Sequence, residues 1–143
     1  MFVLDSDHLS ILQRQGPAAA YRNLANRLAA YSASHFFVTI ISFHEQVNGW
    51  TAYVARARSS AGLVRGYREL EGILSDFARA QVLPFSTAAA DIYDDLRRSR
   101  IRVGPMDLRI ASIAIANQMT VLTTNAVDFQ RVPKLSFEDW TRS

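Results

Sequence analysis

An α/β fold in three layers, with helices covering both faces of a short, mostly parallel central sheet, is what the apolar pattern of this chain predicts. Three observations carry the expectation. The runs MFVL, HFFVTII and TVLTT are rich in β-branched and aromatic residues and lack polar alternation, as strands buried on both faces must. Between them lie longer stretches whose apolar residues recur at helical spacing, so strands and helices alternate along the chain. Finally, 143 residues with 49% hydrophobic composition, and with no repeat, linker or low-complexity tract, suit a single domain around one core.

The elements follow in order. MFVL forms the first strand, and a helix from Asp7 to Arg14 is stopped by Gly16-Pro17. Pro17 opens a second helix, PAAAYRNLANRLAAY, which gathers Tyr21, Leu24, Ala25 and Leu28 on one face and leaves Arg22 and Arg27 elsewhere. HFFVTII is the second buried strand. From Ser42, SFHEQVNGWTAYVARAR reads as a helix weakened by Gly49, and LVRGYRELEGILSDFARA as another amphipathic one. The two make a helical hairpin over roughly 42–80. QVLPF is a short strand limited by Pro84; STAAADIYDDLRRSR begins with a good cap and ends in a basic turn. After Gly104-Pro105, MDLRIASIAIANQM is apolar around most of its circumference and is therefore a buried helix. TVLTT is a strand of the parallel kind, and LSFEDW an edge strand.

Composition narrows the chemistry. The chain has no cysteine, so a metal must be held by oxygen or imidazole, and a reducing cytoplasm is the expected location. Its apolar runs fall short of the roughly 20 residues of a membrane span, and no basic segment leads into a signal-like stretch. Net charge is +3, with Lys134 the sole lysine. Arginine suits phosphate and carboxylate partners, but codon bias in a GC-rich genome produces the same excess, so the bias decides nothing alone.

The stretch FVLDSDHLS raises the question of function, because Asp5 and Asp7 directly follow an apolar strand. Such a pair fits a phosphorylated aspartate with its acid/base partner, or a metal ligand beside a turn residue. Open parallel sheets bind ligands at the carboxyl ends of their strands. Asp5 follows the first strand, Glu45 lies one helical turn past the second, Asn125 and Asp128 follow TVLTT, and Asp107 starts the buried helix. Each has a capping alternative: Ser42-Phe43-His44-Glu45 matches the S-x-x-E capping box, and Asp5, Asp107 and Asn125 are good N-caps. Jointly they form an acidic pocket in a basic chain. Hard oxygen donors favour Mg²⁺ or Mn²⁺, and outlying arginines favour a nucleic acid backbone.

FVLDSDHLS, VTIISFHEQVNG, VGPMDLRIASIA and TVLTTNAVDFQRVPKLSFEDW together resemble, in order and spacing, the motifs of PIN-domain ribonucleases, and more narrowly the VapC-type toxins of bacterial toxin–antitoxin pairs. The resemblance runs from residue 2 to 140, with the central helices matching in pattern only. It implies a PIN-like fold and a metal-dependent endoribonuclease cutting tRNA or rRNA loops. Asp5, Glu45 and Asp107 become the main metal ligands, for one or two Mg²⁺ or Mn²⁺ ions, with the fourth acidic corner falling at Asn125 or Asp128. Ser6 and Thr124 become polar supports, and Asp7 a turn residue next to the ligands. A cognate VapB-type antitoxin and a homodimer are also implied. Tyr21, Leu24 and Leu28, with Trp50 and Tyr53, are candidates for the antitoxin groove, against the more ordinary reading that they are core. Two departures stand out: Asp7 replaces a frequent Asn, and Gln46 a frequent Leu.

An aspartate-nucleophile phosphatase needs a lysine beside its phosphoaspartate, and Lys134 sits in the loop RVPKL; a receiver domain fails on the same ground. A housekeeping RNA-processing nuclease and a non-cleaving RNA-binding module are the remaining rivals. His8, His35 and His44 lack helical metal-binding partners and read as structural or surface residues. Arg97, Arg98, Arg100 and Arg102 cluster before Asp107, and Arg100 and Arg102 are candidates for RNA backbone contact.

Overall fold

The computed structural model describes residues 1–143. Five parallel strands form one sheet in the order β3-β2-β1-β4-β5. They are β1 (Phe2–Leu4), β2 (Phe36–Thr39), β3 (Val82–Leu83), β4 (Thr120–Leu122) and β5 (Phe137–Glu138). The sheet is parallel throughout, so LSFEDW supplies its parallel edge. The helices are α1 (Ser6–Arg14), α2 (Ala18–Leu28), α3 (Ile40–Arg56), α4 (Ser60–Arg79), α5 (Thr87–Arg98), α6 (Pro105–Ala116) and the single turn α7 (Ala126–Phe129).

Alternation within the strands sorts the core into layers. Val3 and Val121 face one side of the sheet and pack with Leu96, Leu108, Ala111 and Phe129 from α5, α6 and α7. Leu4 and Leu122 face the other and pack with Leu24, Ile73, Phe77 and Trp140. The apolar circumference of α6 is explained by this placement: Ile110, Ala111, Ile113 and Ala114 are all fully buried, the isoleucines against Ile41 and Ala89.

Two sequence expectations change here. The β-branched run HFFVTII does not remain a strand to its end, because the Thr39 hydroxyl accepts the Ser42 amide at 3.2 Å and starts α3 at Ile40. The S-x-x-E box is consequently not a cap, and Glu45 is released for another partner. Leu24 is wholly buried, while Leu28 and Trp50 pack partly buried against the core and Trp50 meets Tyr53 edge to face at 5.1 Å. Exposed apolar surface lies instead along α4, at Leu63, Val64, Tyr67 and Leu74. No helix is long and apolar enough to cross a membrane.

Candidate functional site

Beyond β1, the chain turns to β2 on one side and the sheet grows to β4 on the other, which makes the β1–β4 edge a topological switch point, where open parallel sheets form their ligand crevice. Register brings the crevice residues together. Leu4 pairs with Leu122 and the Asp5 amide donates to the Leu122 carbonyl at 2.9 Å, so Asp5 and Thr123 leave the sheet side by side.

Asp5 is 4% exposed. It is the N-cap of α1, accepting the Ser6 amide on Oδ1 at 2.8 Å, while Thr123 donates its hydroxyl to Oδ2 at 2.9 Å. Capping and site membership thus coincide. Ser6 also donates its hydroxyl to Glu45 Oε1 at 2.8 Å and lies 3.0 Å from the Ser42 hydroxyl, tying α3 to α1. On the other flank, the Asn125 side-chain amide donates to Asp107 Oδ2 at 3.3 Å and to Asp128 Oδ2 at 3.0 Å, joining the start of α6 to α7. The Asp128 carboxylate is also 3.9 Å from the Arg131 guanidinium.

The acids sense one another. Burial, then the Asp7 charge and to a lesser degree that of Asp107, push the Asp5 carboxyl up from 3.8 to about 7 against the hydrogen bonds of Ser6 and Thr123. Burial also raises Asp107, with Glu45, Asp128 and Asp7 adding repulsion and the Asn125 amide relieving part of it. Negative charge accumulates with Arg131, at the Asp128 flank, as its one basic neighbour among the ion pairs, and a cation is its natural complement. The donors are all oxygen, as a hard divalent ion requires. No three carboxylates close a cage by themselves. Asp5, Glu45, Asp107 and Asp128 together supply the oxygen-only donor chemistry that a hard divalent cation takes.

Asp7 behaves differently. Burial opposes its ionisation, yet hydrogen bonds from His8 and Thr124 outweigh that and hold its carboxyl below the usual range. Its Oδ1 faces the His8 ring nitrogen at 3.0 Å; its Oδ2 accepts the Thr124 amide at 2.9 Å, the Thr124 hydroxyl at 2.5 Å and the Thr123 hydroxyl at 3.3 Å. With every oxygen engaged by the protein, Asp7 is a brace between the two strand exits. Thr124 supports Asp7 and makes no bond to the other acids.

Two residues of the site have a part that the sequence analysis does not assign to them. Thr123, fully buried, is the hydroxyl that orients Asp5, a part that the resemblance gave to Thr124. His8 is fully buried as well; its Nε2 accepts the backbone amide of Trp140 at 3.2 Å, so Asp7, His8 and the C-terminal segment form one chain of hydrogen bonds. His35 and His44 stay outside the crevice, bonded to Ser32 and Asn48. Arg100 and Arg102 lie in the loop between α5 and α6, with Arg100 exposed in the left-handed region (φ 57°) and the Arg102 carbonyl accepting from Arg131 at 3.0 Å.

The PIN domain family matches this sequence over residues 3–135. The tRNA(fMet)-specific endonuclease VapC of Salmonella typhimurium is 35% identical over 88 residues, 59% of this chain and 64% of that protein. Ribonuclease VapC2 of Rickettsia felis is 35% identical over 69 residues, 46% of this chain and 52% of that protein. The chain thus matches less than two thirds of the length of either relative. Among solved structures, DNA-bound VapBC from Salmonella typhimurium has a TM-score of 0.74 at 25% identity over 97% of each chain. VapBC2 from Rickettsia felis, bound to a promoter DNA fragment, has a TM-score of 0.69 at 25% identity over 97% of this chain and 98% of that one. Fold, switch-point carboxylates and a match running from β1 past α7 agree: the chain belongs to the PIN domain family.

Proposed function

We propose that this protein is a metal-dependent endoribonuclease and the toxin of a toxin–antitoxin pair, cutting phosphodiester bonds in structured RNA such as tRNA or rRNA loops. The observation that carries the reading is the convergence of Asp5, Glu45, Asp107 and Asp128 on one sheet edge with Asp5 pushed up to about 7. The names of the Salmonella and Rickettsia relatives support it.

A bound Mg²⁺ or Mn²⁺ would supply Lewis-acid activation of the phosphodiester and of the attacking water. The chain's own residues prepare that chemistry. Asp5, fixed through both oxygens by Ser6 and Thr123, presents its remaining lone pairs at the crevice. Glu45 is aimed by Ser6, and Asp107 and Asp128 are held together by Asn125, whose amide donates rather than ligates. On this reading Asp128 is the fourth carboxylate.

A VapB-type antitoxin belongs to the same proposal. Its support is an apolar groove of about 410 Å³ walled by Leu9, Leu12, Leu28, Phe36 and Phe37, together with the exposed α4 face. A cytoplasmic homodimer is the expected form in which the toxin acts.

Purified protein should degrade RNA with Mg²⁺ or Mn²⁺ and lose this activity with EDTA or in Asp5→Asn. Equal cleavage by Asp5→Asn would refute the metal site. Growth arrest on expression, relieved by co-expressing the adjacent gene, separates a toxin from a housekeeping nuclease.

A further inference from the structure

Arg97 on α5 and Arg109 on α6 share one aromatic ring. Their guanidinium carbons lie 5.6 and 5.5 Å from the centroid of Tyr93. Neither forms an ion pair, in contrast to Arg98, which is paired with Asp95. Both line a cavity of about 440 Å³ whose apolar wall includes Ile101, Val103 and Pro105. The first turn of α6, which walls this cavity with Pro105, also carries Asp107.

Stacking on Tyr93 holds each guanidinium in place and leaves two like charges facing one space. The complement of that space is an anion with a flat or apolar body attached. A nucleotide has that form: a phosphate for the two guanidiniums, and a sugar and base for the ring and the apolar wall. We propose that Tyr93, Arg97 and Arg109 form a subsite for a nucleotide of single-stranded RNA adjacent to the scissile phosphodiester. This rests on the nuclease reading for the identity of the strand. Arg97 belongs to the basic cluster before Asp107, and within that stretch Ile101 and Val103 line the cavity while Arg100 and Arg102 do not. An acidic peptide would also satisfy the guanidiniums; the strand is favoured because Pro105, Leu108 and Arg109, which line the cavity, flank Asp107 in the first turns of α6.

Binding is measured on the metal-free protein in EDTA, by anisotropy of a fluorescein-labelled single-stranded RNA across a salt series. Arg97→Ala with Arg109→Ala should weaken binding about tenfold and reduce the slope of log K against log salt by roughly 0.7–1.4, the value for one or two phosphates of a single strand. Arg97→Lys with Arg109→Lys should restore the slope, and Tyr93→Leu should weaken binding without changing it. Wild-type affinity and slope in the alanine pair, or no RNA binding by the wild type even at low salt, would overturn the subsite. An equal loss from Arg22→Ala with Arg68→Ala, exposed arginines elsewhere, would reduce the effect to net charge and overturn it too. Arginine-dependent binding without cleavage in Mg²⁺ or Mn²⁺ would refute the nuclease reading and keep the subsite. Cleavage with an unchanged KM in the alanine pair would do the reverse.

Discussion

Asp5→Asn should make the metal-free protein more stable, although it removes the residue most central to the proposed activity. The sign follows from the raised carboxyl, which titrates from 3.8 unfolded to about 7 folded. Below pH 3.8 both states hold the proton and the group contributes nothing to stability. As pH rises, the unfolded chain ionises first, so stability falls across the window from 3.8 to about 7 and the loss is complete above it. At about 1.4 kcal/mol per pH unit the full penalty is on the order of 4 kcal/mol. Asparagine offers one acceptor oxygen in place of two, and losing the bond from Ser6 or Thr123 returns about 1 kcal/mol of that. A net gain of about 3 kcal/mol at pH 8 corresponds to roughly 10 °C in Tm for a chain of this size. Thermal unfolding in EDTA at pH 8 and pH 4 measures it; at pH 4 the variant should lose most of its advantage. Wild type and variant share every other titrating group, so their difference reports Asp5 together with its coupling to Asp7 and Asp107. Adding Mg²⁺ or Mn²⁺ at pH 8 should raise the wild-type Tm more than that of the variant, since a cation offsets the same repulsion. A variant no more stable than wild type at pH 8, or equally stabilised at both pH values, would refute the reasoning.

His8→Leu should lower stability by about 3 kcal/mol in urea denaturation, because it strands the buried Trp140 amide and removes a hydrogen bond to a carboxylate. It should also lower kcat for RNA cleavage by loosening Asp7; a denaturation midpoint equal to wild type would show that the bonds contribute nothing. Gly66→Ala should cost roughly 1–3 kcal/mol, since a Cβ there would lie 2.5 Å from Val54 Cγ2 and 3.1 Å from Tyr53 Cδ1 and would push α3 and α4 apart. Gly72→Ala, on the same helix but facing open space, should instead stabilise by about 0.5–1 kcal/mol, and identical melting of the two variants would contradict the packing described.

β1, β2 and β4 are legible in the sequence because strands covered on both faces must be apolar, and α6 because a helix buried all round must be too. The acids at the strand exits are legible for the same reason, since a carboxylate right after FVL cannot escape the sheet edge. The α7 turn is not, because four residues are too few to show a period. The choice between Thr123 and Thr124 is not either: it depends on Leu4 pairing with Leu122, and register is a property of two strands more than a hundred residues apart. The part played by His8 depends on Trp140, and local sequence gives no sign that the two meet. Leu24 shows the converse limit, since an apolar residue at helical spacing looks the same whether it faces the core or a partner.

The central position of β1 has a consequence for the order in which the protein is built. β1 leaves the ribosome before the other four strands and becomes the middle of the sheet, and its β4 neighbour is not translated until residues 120–122. Until then Asp5 has no Thr123 beside it and no Asn125–Asp128 corner nearby. Pairing across so long a separation is intrinsically slow, and closure of that edge comes late in folding. A chain synthesised only as far as β3 therefore holds separate carboxylates without the assembled crevice, and whatever chemistry the crevice carries waits until β4 and the residues just after it have been translated.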